Sequence, residues 1–256
     1  MKFKFLKKAA AFVTAVAMSF GTLAVLPEEF LPEFGIVASA ENMQAMIFST
    51  GDGSEENPYK IETAAQLSAV RNNLTAHYIQ VADIDLSGFA NWEPIGKNDE
   101  PFSGTYNGNG YTICNLHINA AAQGRIGLFG YVQNGHISNI TLSDVNISVN
   151  EPESQLSIGA ICGVNNNSII SDCTVSGIIN VISTNYRTVA SGIVGTITSS
   201  AFANVKNCKN YSSINVEVGA TPTCYASGIC GFLNPTNKSN VVISNCSNYG
   251  DISSYS

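Results

Sequence analysis

Short runs of alternating apolar and polar residues fill the second half of the chain. One run spans residues 140–147 and another spans residues 214–218. A period of two is typical of half-buried strands, and the Gly, Asn and Ser clusters between such runs are typical of turns. From residue 127 onward the chain consists mainly of Ile, Val, Ser, Thr, Asn and Gly. This composition favours strands and turns over helices.

Two short motifs recur along these strands and stay in step with each other. The first is Gly-Ile-x-Gly, with Leu for Ile in the first copy and Ala for the opening Gly in the second. Its copies are Gly127–Gly130, Ala160–Gly163, Gly192–Gly195 and Gly228–Gly231. The second motif follows each of these, as Ser138–Ile140, Ser171–Cys173, Lys206–Cys208 and Ser244–Cys246. The residues that define the repeat are Gly127, Leu128, Gly130, Ile140, Ile161, Gly163, Cys173, Gly192, Ile193, Gly195, Cys208, Gly228, Ile229, Gly231 and Cys246.

These copies predict an all-β solenoid. The closing glycines of the first motif lie 33, 32 and 36 residues apart. A unit of this size cannot bury its apolar side chains alone, so the copies must stack, with equivalent residues about 4.8 Å apart. The absence of an amphipathic helix from each copy argues against tetratricopeptide, ankyrin and leucine-rich repeats. An earlier, tighter copy is predicted at Phe102–Gly104 and Cys114–Leu116, which match the two motifs.

Glycine and asparagine positions predict how the coils turn. A Gly that closes an apolar strand allows a sharp bend or a positive φ at a corner. The second motif carries Asn or Asp in each copy, and stacked amides can bond one another along such a column. The alternative is that Asn is simply common in turns. The predicted column contains Asn115, Asn139, Asp172, Asn207 and Asn245.

The N-terminal residues 1–40 have the pattern of a signal peptide. A basic start precedes an apolar run over residues 9–26, and Ala38–Ala40 forms a small-x-small cleavage site. The length of the apolar run leaves a single membrane anchor as the alternative. Cleavage would make the mature protein secreted or displayed on the cell surface.

Residues 41–101 are predicted to form an N-terminal cap and lead-in, and residues 102–256 to form the β-helix repeats. Thr63 and Gln66 make a capping-box pattern for a short helix over residues 63–74, which would cover the open end of the first coil. The chain reaches Ser256 just after a repeat. We therefore expect further repeats or domains C-terminal to Ser256, or stacking on a neighbour.

With its repeats aligned, the chain resembles the GLUG-repeat proteins of bacterial cell surfaces. Gly127–Gly130 matches their Gly-Leu-x-Gly core in full, whereas the later copies have Ile for Leu. The lead-in pieces Trp92–Gly96 and Asn107–Tyr111 are similar to those that precede such repeats. The resemblance covers the chain from about Gly51 to its end. It implies a right-handed parallel β-helix of pectate-lyase-like architecture, and it implies no particular reaction.

Charge and cysteine usage narrow the possible partners. Without residues 1–40 the chain has a formal net charge of −8, with sixteen Asp or Glu and eight Lys or Arg. This balance argues against nucleic acid as a partner. No Cys-x-x-Cys pair occurs and the three His are scattered, so neither a metal site nor a cofactor is predicted.

The seven cysteines are interpreted mainly as buried free thiols. Cys173, Cys208 and Cys246 are equivalent positions in stacked copies, where the Cβ spacing exceeds the 3.8 Å or so that a disulfide prefers. Cys162 and Cys230 lie two copies apart, which is too far. Cys224 fits neither pattern and is the cysteine expected to be reactive or paired.

Two further groups suggest chemistry, each with a structural alternative. Asp83 and Asp85 could act as general acid and base or bind calcium, but they also fit a cap strand. Trp92, Tyr211 and Tyr249 could stack on sugar rings, although a recurring Cys-x-Asn-Tyr aromatic fits a packed ladder.

We therefore expect a non-catalytic extracellular module with a structural, adhesive or ligand-display role. Its ligand would be extracellular, such as a carbohydrate or a host surface. The alternative is a polysaccharide lyase or glycoside hydrolase on the same scaffold, which needs charged side chains that converge from neighbouring coils. The nearest approach to such a cluster is Asp172 with Lys206 and Lys209.

Overall fold

The protein is an all-β solenoid of about four stacked coils. The computed structural model describes residues 47–48, 50–120, 124–150, 152, 154–183, 186–219, 223–236 and 239–255. The predicted signal peptide lies outside these described residues. Every strand pairing within them is parallel, and each coil contributes one strand or more to each of four sheets.

The strands follow one another around the coils in chain order. From here the name lead-in covers all described residues before the first full coil, and these contain β1 (Tyr59–Ile61), β2 (His77–Gln80), β3 (Ile84–Asp85), β4 (Thr105–Asn107), β5 (Thr112–Cys114) and β6 (His117–Ala120). The first full coil contains β7 (Arg125–Ile126), β8 (Phe129–Gln133), β9 (His136–Ser138) and β10 (Thr141–Asn150). The second contains β11 (Leu156–Gly159), β12 (Cys162–Asn166), β13 (Ile169–Ser171) and β14 (Thr174–Ser183). The third contains β15 (Thr188–Ser191), β16 (Val194–Ser199), β17 (Phe202–Lys206), β18 (Lys209–Asn210) and β19 (Ser213–Val218). The fourth contains β20 (Cys224–Ser227), β21 (Cys230–Pro235), β22 (Asn240–Ser244), β23 (Ser247–Asn248) and β24 (Ile252–Tyr255).

Four sheets run along the solenoid. Sheet A is β7-β11-β15-β20 and sheet B is β8-β12-β16-β21. Sheet C is β1-β2-β4-β9-β13-β17-β22. Sheet D has nine strands, with β3, β5, β10, β14, β18 and β23 along its main path and β6, β19 and β24 beside it. Each full coil passes through sheets A, B, C and D in that order.

The register of the sheets confirms the stacking of the two sequence motifs. In sheet B, Cys162 pairs with Phe129 of the coil before and Val194 of the coil after. In sheet C, Ser171 pairs with Ser138 and Lys206 in the same way. Equivalent motif positions therefore form continuous columns through the full coils.

The predicted alignment of the earlier copy was wrong. Ile95 bridges to Phe129, so Pro94–Gly96 is the true counterpart of the first motif. Phe102 instead bridges to Val132, further along the coil. The lead-in has loops that the later coils lack, and these loops shift the apparent spacing of its motifs.

The core is a set of apolar columns that point inward. The central residues of the first motif in the first three coils, Leu128, Ile161 and Ile193, are fully buried. Burial of each such side chain contributes about 1.5–3 kcal/mol. At the N-terminal end the core is aromatic, and Phe102 packs on Phe129 with ring centroids 5.0 Å apart.

A short helix packs against the lead-in coil. Helix α1 (Ala64–Ala69) begins with the predicted capping box: the Gln66 amide N–H donates to Thr63 Oγ1 at 3.2 Å, and Gln66 Oε1 accepts from the Thr63 N–H at 3.2 Å. A 3₁₀ turn (Val70–Asn72) follows, so the helical segment is shorter than the predicted 63–74. Leu67 and Val70 are fully buried, which attaches the helix to the core.

The closing glycines are needed for close approach between coils and not for a positive φ. None of the four lies in the left-handed region of backbone space. A Cβ on Gly163 would lie 2.7 Å from the Gly130 carbonyl oxygen and 2.7 Å from the Ile126 nitrogen. A Cβ on Gly195 would meet the Gly163 carbonyl oxygen at 2.7 Å. Each closing Gly therefore leaves room for the backbone of the coil before it.

We expect Gly163→Ala to lower the free energy of unfolding by about 1–3 kcal/mol, because backbone atoms on two sides must move to admit the methyl group. Gly88→Ala is the matched control, since a Cβ there has no atom within 4 Å and the backbone has a negative or extended φ. The control should stay within about 0.5 kcal/mol of the wild type. Urea denaturation followed by circular dichroism measures both, and equal midpoints for the two variants would contradict the close-approach explanation.

Candidate functional site

The corner between sheets C and D is built from Asn and Asp in the left-handed conformation. Asn139, Asp172, Asn207 and Asn245 have φ values of 55°, 56°, 55° and 54°. Short polar side chains tolerate this conformation because they bond locally to the backbone. The repeated Asn or Asp therefore turns the chain from one sheet into the next.

The predicted amide column exists in part. Asn245 Nδ2 donates to Asn207 Oδ1 at 3.3 Å, and Asn207 Nδ2 donates to Asp172 Oδ1 at 2.9 Å. The column then breaks, because a carboxylate has no proton to donate to Asn139. Asn139 Nδ2 instead donates to Asn107 Oδ1 at 2.9 Å.

Asn115 was wrongly placed in this column. Cys114 pairs with Ser143, so Asn115 stacks at the level of Asp144, at a bulge within sheet D. Both residues have positive φ, which explains why the two corners look alike in sequence. Asn115 Nδ2 donates to Asp85 Oδ1 at 2.8 Å.

The thiols follow the amide column one position later. Cys173 and Cys208 are fully buried, Cys246 is half-buried, and all seven cysteines are free, as predicted for the repeat positions. The contact with Cys208 and burial together raise the pKa of Cys173. Cys224, predicted to be reactive or paired, lies unpaired and half-buried in β20. The thiols thus fill the core as small apolar groups.

The outer face of sheet D carries two exposed tyrosines. Tyr211 and Tyr249 stack on each other with ring centroids 4.8 Å apart and planes 13° apart. Their exposed fractions are 47% and 61%. The predicted ladder is therefore present, but it faces solvent and is not packed in the core. We call this pair the tyrosine stack.

Two asparagines, Asn210, which is buried, and Asn248, which is exposed, hold the backbone of the tyrosine stack. Asn210 Nδ2 donates to Asn248 Oδ1 at 2.7 Å and to the Ser212 carbonyl oxygen at 3.1 Å. A Cβ on Gly192 would collide with the Asn210 amide, and Gly228 has the same relation to Asn248. Sequence reasoning missed this role of the opening Gly. The available signal was that Gly-Ile-x-Gly and Cys-x-Asn-Tyr occur together in the last two copies.

A groove of about 440 Å³ lies where the lead-in meets sheet D. Its lining comprises Ser87, Phe89, Ala90, Asn115, Leu116, His117, Asp144 and Asn146. Close by, burial and the charges of Asp85 and Asp144 raise the pKa of Cys114. The groove therefore brings an acidic side chain, Asp144, and His117 to one surface.

Asp83 and Asp85 have structural partners. Asp83 Oδ1 accepts from the Thr112 N–H at 2.7 Å. Hydrogen bonds from Asn115 and from the Ser87 N–H lower the pKa of Asp85. Both carboxylates thus hold the chain around β3 to β5 within the lead-in, as the cap-strand interpretation expects.

Trp92 is a core residue and not a sugar platform. It is 1% exposed and its indole Nε1 donates to the Leu128 carbonyl oxygen at 3.2 Å. The Arg71 guanidinium lies 4.3 Å from the ring centroid. Burial lowers the pKa of Arg71 to about 10. This pair joins the end of the helical segment to the lead-in coil.

Charged side chains do not converge at the tyrosine stack. Among the described residues, the ion pair within 4.0 Å is Lys97–Glu93 at 2.7 Å, in the exposed lead-in. Asp172 makes no such pair with Lys206 or Lys209.

Among the described residues no group of three His, Cys, Asp or Glu is placed to hold a metal ion. Nor does any helix there have the length and apolar character needed to cross a membrane.

The chain is similar in sequence to segments of two much longer proteins. The chain is 39% identical over 150 residues to a protein of Evansella cellulosilytica named "Putative Gly-rich membrane protein", covering 56% of this chain and 17% of that protein. It is 36% identical over 143 residues to the halomucin of Haloquadratum walsbyi, covering 51% of this chain and 2% of that protein. The chain thus spans less than a fifth of the length of these relatives. No family model matches it, so the resemblance to GLUG-repeat proteins stays a prediction.

One crystal structure has a similar solenoid. It is that of "a putative immunoglobulin A1 protease from Bacteroides ovatus", with a TM-score of 0.52 at 18% sequence identity. The match covers 81% of this chain and 80% of the other. At this identity the similarity concerns the fold alone.

We expect Asp172→Asn to raise the free energy of unfolding by about 0.5–1.5 kcal/mol, the contribution of one hydrogen bond. The new amide keeps the acceptor that Asn207 uses and gains an N–H that can donate to Asn139 Oδ1, which would close the gap in the column. Asp251→Asn removes the same charge at an exposed position outside the column and should leave stability unchanged. Thermal unfolding compares the three proteins, and an equal shift in both variants would assign the effect to net charge.

Proposed function

We propose that this chain is a non-catalytic extracellular module of a bacterial surface protein, with a structural, adhesive or ligand-display role. The observation that carries the proposal is the outer face of sheet D. Parallel pairing fixes its polar side chains in columns, two tyrosines stand exposed on it, and charged groups on it are dispersed. Such a face suits binding by many weak, regularly spaced contacts.

The setting of the relatives supports the same proposal. One relative is named as a membrane protein and the other as halomucin. The predicted signal peptide at residues 1–40 would export the chain. A stiff stack of parallel coils then provides an extended scaffold that holds its lateral face away from the point of attachment.

The second candidate function is a polysaccharide lyase or glycoside hydrolase. The groove lined by Asp144 and His117 is the observation that favours it, because such enzymes place an acid and a base on one surface. The Asp85 carboxylate adjoins this groove through Asn115 but is held by structural hydrogen bonds. We therefore rank catalysis second.

Antibody labelling of intact cells and adhesion of coated beads test the proposal that the chain is a surface module. We expect an antibody against the solenoid to label intact cells, and beads coated with the purified chain to adhere to cells or to extracellular material from the native habitat. Beads coated with urea-unfolded chain are the control, since adhesion should need the ordered face. Labelling only after cell lysis would contradict the proposal.

A degradation assay distinguishes the enzyme. The chain should release no reducing ends and no unsaturated products from neutral or acidic polysaccharides. If the wild type did release such products, the variants would decide their origin. Loss of release in Asp144→Asn, with release kept in Asp251→Asn, would establish the polysaccharide-degrading enzyme in place of the non-catalytic module.

A further inference from the structure

One ring face of the tyrosine stack, the face of Tyr211 that points toward the second coil, has no aromatic neighbour among the described residues. Tyr211 and Tyr249 occupy successive coils, and their centroid separation of 4.8 Å equals the spacing of parallel strands. The rings are therefore stacked along the solenoid axis, and their faces point toward neighbouring coils. Tyr249 covers one face of Tyr211, and the other face points toward the second coil.

The position below Tyr211 holds a serine. Thr174 pairs with Lys209 and Val175 with Asn210, so the next residue, Ser176, lies level with Tyr211. Among the described residues, the ring contact of Tyr211 is with Tyr249. The column thus has a shelf beside the Tyr211 ring, at the level of the small and partly exposed Ser176. We call this the Tyr211 shelf.

The shelf is held rigid from beneath. The Tyr211 N–H donates to the Val175 carbonyl oxygen at 2.7 Å, and the Tyr249 N–H donates to the Asn210 carbonyl oxygen at 2.7 Å. Asn210 is fully buried, and its side-chain amide donates to the Ser212 carbonyl oxygen of its own coil and to Asn248 Oδ1 of the next coil. A ligand would therefore not have to order this surface, and preorganisation of this kind lowers the cost of binding.

The chemistry of the Tyr211 shelf matches a sugar ring. The C–H face of a pyranose is apolar and fits an aromatic face, while its rim of hydroxyls needs both donors and acceptors. Thr174 and Ser176 stand level with Lys209 and Tyr211 and are partly exposed, and their hydroxyls can both donate and accept. The ion pair found among the described residues, Lys97–Glu93, lies in the lead-in, and the chain has a formal net charge of −7. Both observations favour an uncharged ligand over an acidic one.

We infer that the Tyr211 shelf binds pyranose rings of an uncharged polysaccharide. The inference rests on the proposed function, because it names the partner class of the lateral face. A sugar ring would lie on Tyr211 at the place where an additional aromatic of the column would stack. Neighbouring sugars of the same chain would extend across the outer face of sheet D.

Affinity electrophoresis of the full chain tests the inference with three probes: barley β-glucan, galactomannan and arabinoxylan. We expect at least one of them to retard the wild type. Tyr211→Ala should weaken that affinity at least tenfold, since it removes the platform. Tyr186→Ala is the control, because Tyr186 is similarly exposed, at 42%, but stands outside the stack.

Ser176→Tyr separates binding from folding. The new ring would extend the stack and fill the Tyr211 shelf, so binding should fall at least tenfold while the unfolding temperature stays equal to or above that of the wild type. Full binding by a folded Ser176→Tyr or Tyr211→Ala variant would overturn the inference. The absence of retardation by all three probes would overturn it too. So would stronger retardation by polygalacturonate, an acidic polysaccharide that is run as the charged comparison.

The two proposals can fail separately. Adhesion of coated beads and surface labelling without retardation by any neutral glycan would overturn the Tyr211 shelf and leave the surface module standing. If adhesion, surface labelling and glycan binding were all absent, both proposals would be overturned.

Discussion

Parallel hydrogen bonding between the backbones of successive coils is the constraint on which the other features of this solenoid depend. It fixes equivalent residues about 4.8 Å apart, so each position of the repeat becomes a column with its own chemistry. At the closing motif position the column must be Gly, because the carbonyl of one coil occupies the space that a Cβ of the next would need. At the corner after sheet C the column must tolerate positive φ, and Asn or Asp fills it.

The columns were predictable wherever the repeat is regular. The stacking of both motifs, the free thiols and most of the amide column follow from periodicity, because a parallel stack repeats the same environment in every coil. The lead-in was not predictable in this way. Its loops change the spacing, so Phe102 and Asn115 were assigned to columns that they do not join. Only pairing of the backbone reveals that shift.

The candidate site shows a different limit of sequence reasoning. Recurrence of Tyr211 and Tyr249 predicted that the rings stack, but not that they face solvent. Their direction follows from an alternation that runs unbroken from Cys208 to Ile214, in which Asn210 and Ser212 point inward and Tyr211 points outward. A buried Asn beside an exposed Tyr is the reverse of what polarity alone would predict. The role of the glycines was also misjudged: they were assigned to backbone freedom, whereas the relevant quantity is the distance between coils, which one sequence does not contain.

The thiol column has a consequence for how the protein can be made. Seven cysteines are present and none is bonded to another, so the fold contains no cross-link that an oxidant must form or an isomerase must correct. The coils can close in a reducing or an oxidising compartment alike. Rigidity that many small extracellular domains obtain from disulfides is obtained here from repetition, with each coil templating the next. Lengthening such a module requires only further copies of the repeat and no new covalent chemistry.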